Sequence, residues 1–210
     1  MGGGADNTIE DGVTYSTVGG GINNAASAPY TTIGGGQHNV VRWAADWSTI
    51  AGGSLNEIEE SVQAGSIGGG LENRIHGKFP EGPDFAATVG GGWSNTIQIL
   101  SHGSTIGGGL RNNVQTDAAC ATIAGGNNNV VSAGWAAIGG GGRNTIQTNA
   151  PYGTIAGGYL NTIETNAMAA TIAGGFLNWI EAGALAAAIG GGEHNSIQTE
   201  ALHATICGGY

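Results

Sequence analysis

The stretch STIGGGLRNNV, residues 104–114, contains the unit from which the whole chain is built. Its Ile106 is position 0 of the unit; Gly or Ala follows at +1, glycines at +2 and +3, Asn at +6, and Ile or Val at +8. The phrase recurs along residues 1–210, usually 17 residues apart, twice 15 apart and once 22 apart, over residues 67–89. Such regularity is typical of a repeat protein with one structural unit per phrase.

Aliphatic residues fill two positions of nearly every repeat. Position 0 is occupied, after Met1 in the same slot, by Val18, Ile33, Ile50, Ile67, Val89, Ile106, Ile123, Ile138, Ile155, Ile172, Ile189 and Ile206. Position +8 is occupied by Ile9, Val41, Ile58, Ile75, Ile97, Val114, Val131, Ile146, Ile163, Ile180 and Ile197, with Ala26 as the exception. Two separated aliphatics per repeat predict two short strands of about three to five residues.

The glycines exclude a helix and predict a tight corner between the two strands. Glycine at this density destabilises a helix, whereas it suits a corner that needs positive φ or leaves no room for a Cβ. A unit of 17 residues with two strands and two corners is one coil of a parallel β-solenoid, in which each coil pairs with the next at about 4.8 Å. We therefore expect an all-β fold with a single repeat domain of about 12 coils and one longer coil at residues 67–89.

An asparagine column accompanies the strands. Identical side chains stacked on successive coils can hydrogen-bond along the column, and Asn tolerates the left-handed backbone conformation of a corner. We expect a structural ladder of Asn7, Asn24, Asn39, Asn56, Asn73, Asn95, Asn112, Asn129, Asn144, Asn161, Asn178 and Asn195. Threonine forms a similar column at −1, which Ser66, Ala137 and Ala188 interrupt.

Charge and composition exclude several classes of partner. Five Lys and Arg against 15 Asp and Glu, a formal net charge of −10, provide no basic patch for nucleic acid or for an anionic membrane surface. Only 4 Pro accompany the 43 Gly, so collagen is excluded. No secretory signal or membrane-spanning run occurs in these residues. Cys120 and Cys207 lie five coils apart, about 24 Å, which is too far for a disulfide between them.

No enzyme, cofactor or metal site is expected from the motifs. The glycine-rich phrase lacks the Lys and Ser or Thr of a phosphate-binding loop, and no repeated slot carries the Asp that calcium-binding β-rolls need. The histidines His38, His76, His102, His194 and His203 fall in several repeat positions and indicate scattered surface residues. A solenoid of this kind is also expected to have no cleft.

The phrase T-I-G-G-G-x-x-N-x-I resembles the head repeats of trimeric autotransporter adhesins and related repeats of tail-fibre-like proteins. It is carried by stretches such as 104–114 and 170–180 and covers essentially the whole chain. The resemblance implies a left-handed parallel β-roll, three chains per head, and attachment to host cells or matrix. The departures are a unit of 17 residues where the family has about fourteen, and no coiled-coil stalk or membrane anchor in these residues.

Assembly is also expected from the size of the interior. One Ile from each strand with Ala and Gly makes a thin core, and sharing faces between chains would add buried apolar area. The chain begins and ends on a repeat phrase without a capping helix, and open solenoid ends are adhesive edges. We therefore expect a segment of a longer fibre that forms a homotrimer or an end-to-end homo-assembly.

Specificity is expected in the positions that vary between coils. Tyr15, Tyr30 and Trp47 stand three residues before position 0 on consecutive coils, and the long coil contains His76, Lys78, Phe79 and Phe85 within residues 76–85. Exposed aromatics can stack on sugars or contact a protein. Two alternatives stay open: the aromatics seal a groove between chains or staple neighbouring coils, and the long coil is a tolerated insertion.

Three functions follow from the sequence. The first is an extracellular adhesive fibre segment, at a cell surface or in a virion appendage, with a host or matrix protein or a glycan as partner. The second is a purely structural filament or tail-fibre shaft. The third is ice binding through the threonine column, which is disfavoured because one column makes no two-row face.

Overall fold

The computed structural model describes residues 2–78 and 84–210, and this part of the chain forms a parallel β-solenoid without a helix. Each coil contributes one strand to each of two sheets, so the predicted all-β parallel solenoid is confirmed. Sheet A consists of Thr17–Val18, Thr32–Ile33, Thr49–Ile50, Ser66–Ile67, Thr88–Val89, Thr105–Ile106, Thr122–Ile123, Ala137–Ile138, Thr154–Ile155, Thr171–Ile172, Ala188–Ile189 and Thr205–Ile206.

Sheet B has the same number of strands and runs alongside. It consists of Thr8–Ile9, Ala25–Ala26, Val40–Val41, Glu57–Ile58, Arg74–Ile75, Thr96–Ile97, Asn113–Val114, Val130–Val131, Thr145–Ile146, Thr162–Ile163, Trp179–Ile180 and Ser196–Ile197. Twelve strands in each sheet correspond to about 11 turns of roughly 17 residues. Every strand is two residues long, shorter than predicted. In both sheets a residue with positive φ lies two positions before the strand, at −3 or +5, which limits the length of the extended segment.

A third column of pairing, which was not predicted, lies at position +4. There single residues of successive coils form isolated parallel bridges, from Ala5 with Ile22 to Phe176 with Glu193. The long coil adds a separate pair of strands, Val62–Gln63 with Asp84–Phe85. All pairing is therefore between neighbouring coils, in identical register from coil to coil.

The interior is closed within a single chain. The side chains at 0 and +8 point inward, and Ile106, Val114 and their equivalents in the middle coils have essentially no exposure. Small residues at −2 and +12, such as Ser104 and Ala118, fill the remaining space. The core is as thin as predicted, yet burying its aliphatic side chains needs no second chain.

Glycine at +3 is required by the close approach of the next coil. Gly109 has a φ of +93°, and a Cβ on it would lie 2.2 Å from the carbonyl oxygen of Gly126 and 2.8 Å from Nδ2 of Asn112. A side chain at this position is excluded by both the conformation and the space. The glycine corner thus brings the backbone against the asparagine column.

A residue with a left-handed backbone conformation stands at +5, between the glycine corner and the strand of sheet B. The expectation that the Asn at +6 adopts this conformation was wrong. Asp6, Leu55, Arg111 and their equivalents have φ between +52° and +58°, whereas φ of the Asn at +6 is not positive and its side chain is buried. The Asn is selected for its hydrogen bonds, and +5 accepts varied residues because its side chain points to solvent.

Candidate binding surfaces

The asparagine column is a continuous network inside the solenoid. Nδ2 of Asn112 donates to Oδ1 of Asn95 at 3.2 Å, to the carbonyl of Gly108 at 2.9 Å and to that of Gly126 at 3.0 Å. The backbone N–H of Asn112 also donates to Oδ1 of Asn95. From Asn24 to Asn178 the Asn residues are fully buried. The column therefore ties three successive coils at every level and presents no group to a ligand.

Tyr15, Tyr30 and Trp47 form one exposed stack at the edge of sheet A. The ring centroids are 5.0 Å apart for Tyr15 and Tyr30 and 5.7 Å apart for Tyr30 and Trp47, with interplanar angles of 12° in both pairs. The exposed fractions are 80%, 47% and 55% along the stack. All three residues have positive φ, near +60°. The rings face one another along the solenoid axis and direct their edges to solvent.

A second stack continues the same column further along the chain. Trp135 and Tyr152 are 5.8 Å apart at an angle of 23°, and both are more than half exposed. Between the two stacks the column holds only small residues, Ala64, Ala86, Gly103 and Cys120. The stacked rings at −3 therefore border sheet A at its first three strands and again at its eighth and ninth strands.

The candidate residues of the long coil do not form one cluster. His76 lies on the sheet B side, where its Nδ1 is 2.8 Å from Oε2 of Glu59. Lys78 is half-buried. Phe85 is 49% exposed on the sheet A side, two coils beyond Trp47, and its ring lies 6.2 Å from that of His102. Phe79 lies outside the described residues, so the excursion is defined structurally only at its two ends.

Asp84 occupies an inward slot of the long coil. Counted back from Val89 it stands where neighbouring coils carry Val62 and Ser101, and it is only 3% exposed. Neither carboxylate oxygen makes a hydrogen bond of normal geometry, although Nδ1 of His102 lies 3.0 Å from Oδ1. Burial raises the pKa of Asp84, and the charge of His102 opposes the increase. Within the described residues, the two carboxylate oxygens of Asp84 are the buried side-chain atoms that lack a hydrogen-bond partner.

A charged cluster on sheet B was missed by the sequence analysis. Glu57, only 10% exposed, pairs through one carboxylate oxygen with Arg42 on the preceding coil and through the other with Arg74 on the following coil. Glu59 lies beside it and is hydrogen-bonded to His76. Burial works to raise the pKa of Glu59, but the hydrogen bond and charge of His76 outweigh it, so that the pKa is lowered. The bond to Glu57 raises the pKa of Arg42.

This cluster lines a groove that the sequence did not predict. The groove has a volume of about 610 Å³ and is bounded by His38, Val40, Arg42, Leu55, Glu57, Glu72, Arg74, His76, Ser94 and Thr96. Its acidic and basic groups largely neutralise one another. The sequence does contain the pattern: Arg42 at +9, Glu57 at +7 and Arg74 at +7 of three consecutive repeats alternate in charge. These positions become neighbours when the strands of successive coils pair in register.

Arginines cover two aromatic rings of the +4 column. The guanidinium of Arg111 lies 6.0 Å from the ring centroid of Trp93, and that of Arg143 lies 5.9 Å from that of Tyr159. Tyr159 also stacks on Phe176 at 6.0 Å. These contacts bind neighbouring coils together and occupy ring faces that would otherwise be available to a ligand.

Residues 2–78 and 84–210 were compared with the requirements of a metal site, a membrane-spanning helix and a disulfide. In those ranges no group of three or more His, Cys, Asp and Glu side chains is placed to hold a metal ion. The same part of the chain contains no helix with the length and hydrophobicity to cross a membrane. Both cysteines are free thiols at the surface.

No protein-family model matches the chain, and no curated protein shows significant sequence similarity to it. The resemblance of its repeat to adhesin heads therefore depends on the phrase itself.

Proposed function

We propose that this chain is a structural and adhesive segment of an extracellular fibre, in which three copies of a left-handed solenoid lie together and attach to a host, matrix or glycan surface. The observation that carries the proposal is the division between a constant interior and a variable exterior. The columns at 0, +6 and +8 keep their residue type along the chain, with Ala26 as the exception at +8, whereas +4, +7 and −3 change from coil to coil.

A rod of this kind is suited to holding binding groups at fixed positions. Eleven coil spacings of about 4.8 Å give a length of about 53 Å. Loops and side chains on a rigid scaffold are common sites of recognition. The exposed rings of Tyr30 and Trp47 and the ends of the long coil differ most from the repeat phrase, and they are the proposed contacts with the surface.

Attachment is tested with beads that carry the protein, applied to immobilised glycans, matrix proteins and cells. One variant lacks residues 79–83, which restores a 17-residue coil. A second carries Ser at Tyr15, Tyr30 and Trp47, and Trp179→Ser on sheet B is the matched control. We expect both test variants to lose attachment and the control to retain it.

A purely structural filament is the second candidate. It is favoured by the ring geometry, because Tyr15, Tyr30 and Trp47 place their faces against one another and so staple neighbouring coils. Unchanged attachment of both test variants would support this candidate and assign the segment the role of a spacer.

The number of chains is tested by light scattering. The trimer proposal rests on the resemblance of the repeat and predicts a mass about three times the 20.7 kDa of the chain. A monodisperse species of 20.7 kDa would exclude it.

A further inference from the structure

The −3 column has a gap between its two aromatic stacks. Trp47 ends the first stack and Trp135 begins the second. The levels between them carry small exposed residues, Ala64, Ala86, Gly103 and Cys120. Five coil spacings of about 4.8 Å separate the two tryptophans by about 24 Å. The edge of sheet A therefore has a trough, with these four small residues as its floor and an indole at each end.

Each end of the trough is formed by one face of an indole ring. Tyr30 covers the opposite face of Trp47, and Tyr152 covers the opposite face of Trp135. The faces that remain are directed along the solenoid axis into the trough, and the two tryptophans are 55% and 58% exposed. The trough thus offers two aromatic faces that are directed towards each other across a floor without large side chains.

Uncharged polar side chains line the two sides of the trough. The −1 column contributes the hydroxyls of Ser66, Thr88 and Thr105, and the −4 column contributes the amide of Gln63. Among the described residues these four side chains have no hydrogen-bond partner, so their polar groups are available to a ligand. No Asp, Glu, Lys or Arg stands at −4, −3, −1 or +1 on the coils between the two indoles, although the chain has a net charge of −10. Such a lining suits a neutral ligand that carries many hydroxyl groups.

The backbone of the floor is already paired, which disfavours a peptide strand as the occupant. The N–H groups of Ala64, Ala86, Gly103 and Cys120 donate to carbonyls of the preceding coil at 2.8 to 2.9 Å. An extended peptide in the trough would therefore find no N–H on the floor for its own carbonyls, and burying unpaired peptide groups is costly. A glycan avoids this cost, because its C–H faces pack on aromatic rings and its hydroxyls exchange hydrogen bonds with hydroxyl and amide side chains.

We infer that the trough binds a neutral, linear glycan chain along the solenoid axis, with one sugar ring stacked on Trp47 and another stacked on Trp135. The inference rests on the proposed adhesive function and selects the glycan among its possible partners. It adds Trp135 and the floor between the two stacks to the proposed contacts, and it leaves the aromatic rings at −3 exposed for binding.

The first test uses the two free thiols of the chain. Sγ of Cys120 lies on the floor, 3.6 Å from the place that a Cβ on Gly103 would take, whereas Cys207 lies five coils away and is the control in the same molecule. Mass spectrometry follows alkylation of both thiols by N-ethylmaleimide, with and without cellotetraose, chitotetraose, maltotetraose or mannotetraose. We expect at least one of these neutral tetrasaccharides, at several times its Kd, to slow alkylation of Cys120 about fivefold and to leave that of Cys207 unchanged.

The second test fills the trough without changing its ends. Ala86 has a φ of +54°, and Trp47 occupies the same column at +59°, so Ala86→Trp should fold and divide the trough. Ala169→Trp makes the same change at a φ of +58° in this column but outside the trough, and it is the matched control. Titration calorimetry with the protecting tetrasaccharide should show about a tenfold loss of affinity for Ala86→Trp and for Trp135→Ala, and no loss for Ala169→Trp. Thermal melting verifies that all three variants fold.

The outcomes separate this inference from the proposed attachment. Beads that attach to matrix protein or cells, when no tetrasaccharide protects Cys120, would overturn the inference and leave the attachment standing. Affinity that Ala86→Trp leaves unchanged, or protection of Cys120 by a neutral hexapeptide and by no tetrasaccharide, would also overturn the inference. Protection of Cys120 in a protein whose beads attach to no surface would overturn the adhesive role and retain the trough as a site for a soluble glycan. Absence of both protection and attachment would overturn both proposals.

Discussion

Oδ1 of Asn95 accepts two hydrogen bonds from Asn112 on the next coil, one from its backbone N–H at 3.0 Å and one from its side-chain amide at 3.2 Å. Asn112 is fully buried, so no water replaces these bonds when the side chain is removed. Each amide is therefore both the acceptor for the coil above it and the donor to the coil below.

Replacing Asn112 by Leu should lower the free energy of unfolding by about 1 to 3 kcal/mol, because it leaves the carbonyls of Gly108 and Gly126 without their side-chain donor. The matched control is Asn113→Leu, the next residue, which points outward and is half-buried. Denaturant unfolding measures both variants. Equal stability of Asn112→Leu and the wild type would mean that the column contributes no net stability.

Replacing Gly109 by Ala should prevent folding or cost several kcal/mol. The new methyl group would lie 2.2 Å from the carbonyl oxygen of Gly126, and φ at this position is +93°. Gly157→Ala is the control, because its Cβ meets no atom and its φ lies outside the left-handed region. We expect the melting temperature of that control to stay near the wild-type value, and a comparable loss in both variants would contradict the steric explanation.

The repeat made most of the fold predictable because the same physical requirement acts on every coil. The aliphatic column that contains Ile106 and the glycines beside it are constrained by burial and by close approach, so their identities are constant. Position +5 escaped prediction because its conformation is imposed by neighbouring coils and its exposed side chain varies, from Asp6 to Leu55 to Arg111.

The charged cluster and Asp84 escaped prediction for different reasons. Arg42 stands at +9 of its coil, whereas Glu57 and Arg74 stand at +7 of the next two coils, so Arg42 and Glu57 do not occupy equivalent positions of the repeat. Their contact is visible only when the strands of neighbouring coils are placed side by side. Asp84 lies in the coil that is five residues longer than usual, so its distance in sequence from Ile67 does not give its position in the repeat. Counting back from Val89 instead places Asp84 at −5, a position whose side chain points into the solenoid.

Replacing Asp84 by Ala should stabilise the protein at neutral pH by about 1 to 3 kcal/mol, since it removes a buried carboxylate without a hydrogen-bond partner from the inward slot between Val62 and Ser101. The pKa of Asp84 is raised in the folded state, so the cost of its ionised form is present above that pKa and disappears below the unfolded value of about 3.9. The advantage of the variant should therefore shrink as the pH falls towards 4 and below. Asp11→Ala, at an exposed site, is the control, and a destabilised Asp84→Ala would indicate that the carboxylate has a structural partner.

The Glu59 carboxylate should make the protein more sensitive to acid. Its pKa is lowered in the folded state, so its stabilising contribution is complete above the unfolded value of about 4.3 and is lost as the pH falls through the folded value. Melting curves between pH 2 and pH 6 should show a smaller decline for Glu59→Gln than for the wild type. His76→Gln removes the hydrogen bond that lowers this pKa and should flatten the same part of the profile. Parallel profiles for all three proteins would exclude this pair as a source of acid sensitivity.

Because all regular pairing joins one coil to the next, the bonds that hold the rod together run along its length. Tension on such a rod loads a single layer of pairing at a time, and a coil that detaches leaves the layers behind it intact. A coil of 17 residues occupies about 4.8 Å of the rod but extends to about 58 Å when pulled straight. Under load the segment would therefore lengthen by roughly 50 Å for each coil that unfolds. When the load is removed, the unfolded coil can pair again with the intact coil next to it, so the segment would extend reversibly under tension.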